Sequence, residues 1–195
     1  PIEDPRQGET ATILLNQTPF YGESGGQVGD AGKLSSFTGF VGEVEDTSKP
    51  LGKLHALRTK VAKGQISVGN TVHQQVDVER RNATRANHSA THLLHAALRN
   101  RLGSHVTQKG SLVAPDYFRF DFSHPMALTR EEIELIEADV NAEIRANEPV
   151  VTRLMTPDEA VASGALALFG EKYGDEVRVL SMGREDDSRH FSVEL

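Results

Sequence analysis

The sequence predicts an α+β fold, with a small N-terminal β-barrel over residues 1–78 and an α+β domain with a His-x-x-x-His helix over residues 79–195. Three observations predict it. Residues 1–78 carry short runs of β-forming residues broken by Gly, Pro and Asn. Near Val78 the period changes from two to helical. Beyond residue 103, strand-like and helix-like stretches then mix, as one α+β domain requires.

In chain order, Thr10–Asn16 reads as a first strand. Lys33–Asp46, with glycines at 39 and 42, suits a curved strand pair or a bulge. Leu54–Val61 and Asn70–Val78 complete a set of short strands, and their even spacing suggests a small barrel. Arg80–Gly103 predicts one helix: Leu93, Leu94, Ala97, Leu98 and Leu102 recur at spacings of three and four. Asn82 or Thr84 can cap its start, and Gly103 suits a left-handed stop. Val106 starts a further strand, Gln108–Ser111 reads as a polar break with Lys109-Gly110 at a hairpin tip, and Tyr117–Phe122 alternates as a strand. Thr129–Asn147 predicts an amphipathic helix, capped by Thr129 and Glu132, with Ile133, Ile136, Val140 and Ile144 as its apolar stripe. Thr156-Pro157-Asp158-Glu159 opens a shorter helix, Gly164–Gly170 reads as a close-packed turn, and Val177–Met182 and Phe191–Leu195 read as strands.

Composition narrows the function class. The 195 residues carry a formal charge of −7, so bulk charge announces no nucleic-acid binder. The local distribution differs: Arg80–Gly103 holds five arginines and no acidic residue, either a docking face for a polyanion or a solvated helix face. With no cysteine there is neither a disulfide framework nor a complete cysteine-containing zinc site. No apolar run is long enough to span a membrane, the N-terminus is not a signal peptide, and a cytoplasmic setting without membrane partners is expected. The chain begins without Met and reads as part of a longer protein.

Two stretches carry candidate chemistry. His88 and His92 lie four apart on the predicted helix, so their rings project from one face one turn apart. They either converge on a metal ion or are half-buried histidines that satisfy backbone carbonyls. Ser89 stands where a zinc protease would have its glutamate, which argues against a peptidase. His95, further along, is a third ligand or a core or rim histidine. Thr18–Gly32 has five glycines in fifteen residues. It is either a loop whose backbone lets a ligand approach or a turn whose glycines serve positive φ. It matches neither the dinucleotide nor the P-loop pattern.

TPFYGESGGQVGDAG, RANHSATHLLHAALR, HVTQKGSLV, ALFGEKYGDEVRVLSM and FSVEL occur in this order, and together they resemble the editing region of bacterial-type alanyl-tRNA synthetases. Threonyl-tRNA synthetase editing domains share a similar histidine helix, while Glu23-Ser24-Gly25-Gly26-Gln27 points to the alanyl branch and its free-standing relatives. The resemblance implies a small barrel followed by an α+β editing (aminoacyl-tRNA deacylase) domain that hydrolyses the ester joining serine or glycine to alanine tRNA. A site for alanine rejects smaller glycine or hydroxyl-bearing serine only weakly, so a second, hydrolytic site supplies the discrimination. The family's metal is zinc, held by two helix histidines and by Cys and His of a later Cys-Gly-Gly-Thr-His segment. His88 and His92 match the first pair and the second would follow Leu195, so the zinc site is expected to be incomplete in this chain.

The resemblance further implies that Thr91, Gln108 and Ser111 line the catalytic pocket. Gly25, Gly26 and Gln27 would approach it from the barrel, and Arg80 and Arg81 would contact substrate phosphates. The implied partners are the acceptor end of tRNA(Ala) carrying Ser or Gly and the neighbouring domains of a parent synthetase, which itself binds ATP. Competing readings are an acceptor-end binding module without activity, a metal-dependent hydrolase of small esters or peptides, and a hinge between other domains.

Overall fold

The computed structural model describes residues 4–163, 175–186 and 189–194. The chain divides into two units: Pro1–His88 with Gly110–Phe120, and Ser89–Lys109 with Asp121–Leu195. The expected boundary at Val78 is where the first sheet gives way to helix, and by packing the first unit also takes residues 79–88 and 110–120.

The first unit is built on β1 (Thr10–Ile13), β2 (Gly32–Ser35), β3 (Val41–Ser48), β4 (Ala56–Lys63) and β5 (His73–Val76). They form one antiparallel sheet in the order β1-β4-β3-β2-β5. Alternation sets its faces: in β4, Leu57, Thr59 and Val61 are buried while Arg58 and Lys60 face water. Leu34, Leu57, Val61, Val44, Phe20, Phe40, Ile13 and Ile66 make its core. The region expected to hold a curved strand pair or a bulge shows both: β2 pairs with β3, and β3 has register shifts against β4 between Val41 and Gly42 and between Val44 and Asp46.

The expected barrel is not formed. The sheet is open, with β1 and β5 at its edges and no ladder joining them among the described residues. Closure needs edge strands long enough to pair across the gap. Here each edge has only four residues, and β5 is polar along most of its length (His73, Gln74, Gln75). The first strand also ends earlier than its sequence suggests, at Ile13, with Leu14 turned to solvent.

Helix α1 (Val78–Leu102) contributes residues to both units. It starts a turn before either predicted cap. Asp77 is the capping residue: its Oδ1 accepts from Arg80 N at 2.9 Å, and its carbonyl accepts from Arg81 N at 3.0 Å. Thr84 is instead a helix-interior residue whose hydroxyl donates to the Arg80 carbonyl. Gly103 ends the helix at φ +115°, as expected. Strands β6 (Gln108–Val113) and β7 (Phe118–Phe122) pair as a two-stranded sheet. Gln108–Ser111 therefore lies within a strand and is not a break. The turn falls at Ala114–Tyr117, closed by Ala114 N donating to the Tyr117 carbonyl, where Pro115-Asp116 suit a turn better than Lys109-Gly110.

The second unit contains α2 (Arg130–Ala146), β8 (Val151–Met155), α3 (Pro157–Ala162), β9 (Val177–Asp186) and β10 (Arg189–Glu194), with an antiparallel sheet ordered β10-β9-β8. The expected capping box at Thr129/Glu132 is present, and the expected helix start at Thr156 carries a second one with Glu159. The apolar stripe of α2 is narrower than predicted. Ile136 is buried, but Ile133 and Ile144 are largely exposed, and Glu143 is buried on the row that includes Ile136. On α1, Leu93, Ala97 and Leu98 are buried as their spacing requires. The expected turn at residues 164–170 lies outside the described residues, as does Leu195.

Candidate functional site

The glycine-rich loop, residues 18–32, is a braced structure within the first unit. Asp30 pinches its base: its Oδ2 accepts from Tyr21 N at 2.6 Å, and Asp30 N donates to the Tyr21 carbonyl at 2.9 Å. The buried Thr47 hydroxyl donates to the Asp30 carbonyl at 2.9 Å. At the tip, Ser24 and Gln27 exchange backbone hydrogen bonds of 3.2 and 3.0 Å around Gly25 and Gly26. Those two glycines sit at φ +58° and +83°, the two positive values that a type I′ turn demands. Tyr21 lies across the loop with its hydroxyl donating to the Ser24 carbonyl. Burial pushes its phenol above the usual range, and the nearby Asp30 carboxylate adds to this.

The tip of this loop is fixed against β6. Val28 N donates to the Val113 carbonyl at 3.0 Å and Val113 N to the Gly26 carbonyl at 2.8 Å, a parallel bridge centred on Gln27 and Val113. A Cβ on Gly26 would lie 2.5 Å from the Ser111 carbonyl oxygen and 2.6 Å from its Oγ, so the close approach of loop to strand requires glycine.

The start of α1 is tied to the same structure by three side chains. The Arg81 guanidinium clasps the Asp30 carboxylate, with Nε at 3.1 and 3.3 Å from its oxygens, and donates to the Pro19 carbonyl at 2.6 Å. Asn87 Nδ2 donates to the carbonyls of Ala114 and Pro115 at 2.8 and 3.1 Å. His88 Nδ1 lies 2.7 Å from Gln27 Oε1. Loop, helix and strand thus meet within this unit through Gly26, Gln27, His88 and Ser111. Arg80, in the first turn of α1, is half-buried, and Gly25 is exposed at the loop tip.

The remaining candidates belong to the second unit. On α1, Thr91 and His95 are buried and His92 is half-buried. Gln108, the first residue of β6, is half-buried. Arg99 donates to the carbonyls of Ser104 and Val106, both at 2.7 Å, and Arg101 forms a two-point pair with Asp139 at 2.6 and 2.7 Å. Of the five arginines in the helix stretch, Arg81, Arg99 and Arg101 therefore hold structure together. Among the described residues, no group of three His, Asp or Glu side chains is placed to hold a metal ion. No described helix is long and apolar enough to cross a membrane.

Three residues that shape this arrangement gave no sequence signal as partners: Asp30, Asn87 and, as the residue that meets His88, Gln27. Asp30 and Arg81 are 51 residues apart, and Gln27 and His88 are 61 apart. The charge of the one and the unusual loop of the other were the available clues.

A family model for tRNA synthetases class II (A) matches residues 2–80, the stretch that carries the first unit's sheet. Over its full length the chain is 68% identical to alanine–tRNA ligase of Sphingopyxis alaskensis, across 195 residues that are 22% of that protein. It is 62% identical over 197 residues to alanine–tRNA ligase of Rhizorhabdus wittichii, again all of this chain and 22% of the relative. With alanine–tRNA ligase of Gluconobacter oxydans it shares 59% over 192 residues, 98% of this chain and 22% of the relative. Along nearly its whole length the chain is similar to alanine–tRNA ligases, and it spans about 22% of the length of these curated relatives.

Proposed function

We propose that this chain carries the proofreading site of an alanine–tRNA ligase, a hydrolase for the ester that joins serine or glycine to tRNA(Ala). The observation that supports it most is the meeting, in one unit, of three motifs far apart in sequence: the Gly-Gly-Gln loop, the histidine helix and the strand that carries Ser111. A purely structural sheet-to-helix connection has no need for a type I′ glycine turn that presents a glutamine to a histidine ring.

In this reading the aminoacyl-adenosine end is held by hydrogen bonds, and a water oxygen adds to the ester carbonyl. The bond to the ribose oxygen then breaks, which leaves the free amino acid and the tRNA 3′ end with its hydroxyl restored. The Thr91 hydroxyl recognises the serine hydroxyl, while Gln108 and Ser111 orient the carbonyl, the terminal ribose or the attacking water. The backbone at Gly25 and Gly26 admits the substrate closely, and Arg80 faces phosphate. Arg81, engaged by Asp30, serves that end by fixing the helix against the loop. Of a zinc shell, this chain would contribute His88 and His92, and a bound zinc would polarise the ester carbonyl or its water. Among the described residues no group of three such side chains is placed to hold a metal ion, so no step above is routed through it. Action in the cytoplasm and association with the other domains of the ligase are part of the same proposal.

That no group of three donors is placed to hold a metal ion among the described residues favours one second reading, an acceptor-end binding module that hydrolyses nothing by itself. Incubation of the chain with Ser-tRNA(Ala), with Ala-tRNA(Ala) as control, separates the two. Selective loss of the seryl ester supports proofreading, and salt-dependent binding without hydrolysis supports the module.

A further inference from the structure

We propose that Gln27 sets the tautomer and the rotation of the His88 ring, which makes it a positioning residue and not a substrate contact. The inference rests on reading His88 as a site residue, but its geometry stands on its own. A neutral imidazole has one N–H and one lone pair, and the partner of one nitrogen decides where the proton resides. An amide oxygen only accepts. Gln27 Oε1 lies 2.7 Å from His88 Nδ1, so Nδ1 carries the proton and donates it. The lone pair then belongs to Nε2, the nitrogen at the far end of the ring. Through this hydrogen bond Gln27 favours Nε2 as the base or ligand and sets where that nitrogen points.

Gln27 is suited to this task because its backbone has little freedom. It closes the Ser24–Gln27 turn through two hydrogen bonds, and its neighbours Gly26 and Val28 are both bonded to Val113. The turn works only with Gly25 and Gly26 at positive φ, and Gly26 also has to pass the Ser111 carbonyl. On the other side, Asn87, the residue before His88, is held by two carbonyls on the β6–β7 turn. Donor and acceptor are therefore each anchored to the same short stretch of strand and turn, Val113 to Pro115. This explains a loop that matches no phosphate-binding pattern: its glycines bring a side-chain amide to a fixed point.

The test is the protonation pattern of the His88 ring in this chain, read from long-range 1H–15N correlations after 15N-histidine labelling. Spectra are taken well above the usual histidine range, and the signal is assigned by its loss in His88→Gln. The expected result is one tautomer, protonated at Nδ1. Gln27→Met keeps the length of the side chain and removes the acceptor, so it should shift the ring to a mixture or to the Nε2–H form. Gln27→Glu keeps an acceptor and should retain Nδ1–H. Amide spectra of β3 and β4 report whether each variant is folded, and Gln27→Ala serves as a second acceptor-free variant. An Nε2–H ring in the unaltered chain would overturn the proposal. So would an unchanged tautomer in both folded acceptor-free variants. Neither readout depends on catalysis: a chain without deacylase activity but with this tautomer pattern would remove the proofreading reading and leave the role of Gln27 intact.

Discussion

Replacing Asp30 by alanine is expected to be among the most damaging single changes in the first unit. The carboxylate is 9% exposed and accepts from Tyr21 N and from the Arg81 guanidinium, which itself reaches the Pro19 carbonyl. Removing one partner of a buried pair costs about 3–5 kcal/mol when the other is left without water. The Arg81 side chain is 36% exposed, so it recovers hydration and the charge penalty falls well below that range. What remains is the charged hydrogen bond to Tyr21 N, about 1.5–3 kcal/mol, and part of the pairing with arginine. A loss of about 2–3 kcal/mol follows, and with a urea m-value of about 1.5 kcal/mol/M it lowers the midpoint by about 1.3–2 M. Urea titration followed by amide signals of β3 and β4 reads this unit separately from the second. Asp30→Asn, which keeps an acceptor for Tyr21 N, should lose less. The cycle of Asp30→Ala with Arg81→Ala should show coupling of about 1 kcal/mol or more. A loss below about 0.5 kcal/mol for Asp30→Ala, or strict additivity of the two changes, would refute the reasoning.

Three further outcomes are expected. Gly26→Ala places a Cβ against the Ser111 carbonyl at a positive φ, so it should cost about 1–3 kcal/mol and detach the loop tip; loss of amide protection at Val28 and Val113 in hydrogen exchange checks it. The second unit should weaken on acidification. The hydrogen bond from Arg101 and its charge hold the Asp139 carboxyl below its ordinary value, and the Thr129 and Thr156 caps do the same for Glu132 and Glu159. A depressed folded value means that the contribution is complete above the unfolded carboxylate range and is lost as pH falls through the folded one. Stability measured against pH should therefore be flatter below that range in Asp139→Asn. Finally, Thr129→Ala should fray the first turn of α2 and leave the first unit's amides unchanged, which backbone NMR resolves.

Local chemistry made much of this fold legible. Alternation gave β3 and β4, the Thr-x-x-Glu pattern gave the capping box of α2, Pro157 gave the start of α3, and the leucine spacing gave the buried face of α1. Features decided by tertiary context were less legible. Barrel closure depends on whether two edges meet, and four-residue edges do not. Lys109-Gly110 resembles a turn, yet it sits in a strand because Pro115-Asp116, just beyond that strand, turn more readily. In α2 the inward row includes Glu143, so hydrophobicity alone placed Ile133 and Ile144 inside when they face water. The candidate site shows the same division. His88, Gly26, Gln27 and Ser111 stood out as members of separate motifs, but the pairing of Gln27 with His88 and of Asp30 with Arg81 spans 61 and 51 residues and leaves no local pattern.

The most direct test of the central claim uses a full-length alanine–tRNA ligase that carries this segment, with His88 replaced by alanine. Deacylation of Ser-tRNA(Ala) and aminoacylation of tRNA(Ala) with alanine are measured side by side. Deacylation is expected to fall by about 10- to 100-fold or more while aminoacylation is unchanged. Seryl-ester hydrolysis at the unaltered rate in the His88→Ala enzyme would contradict it.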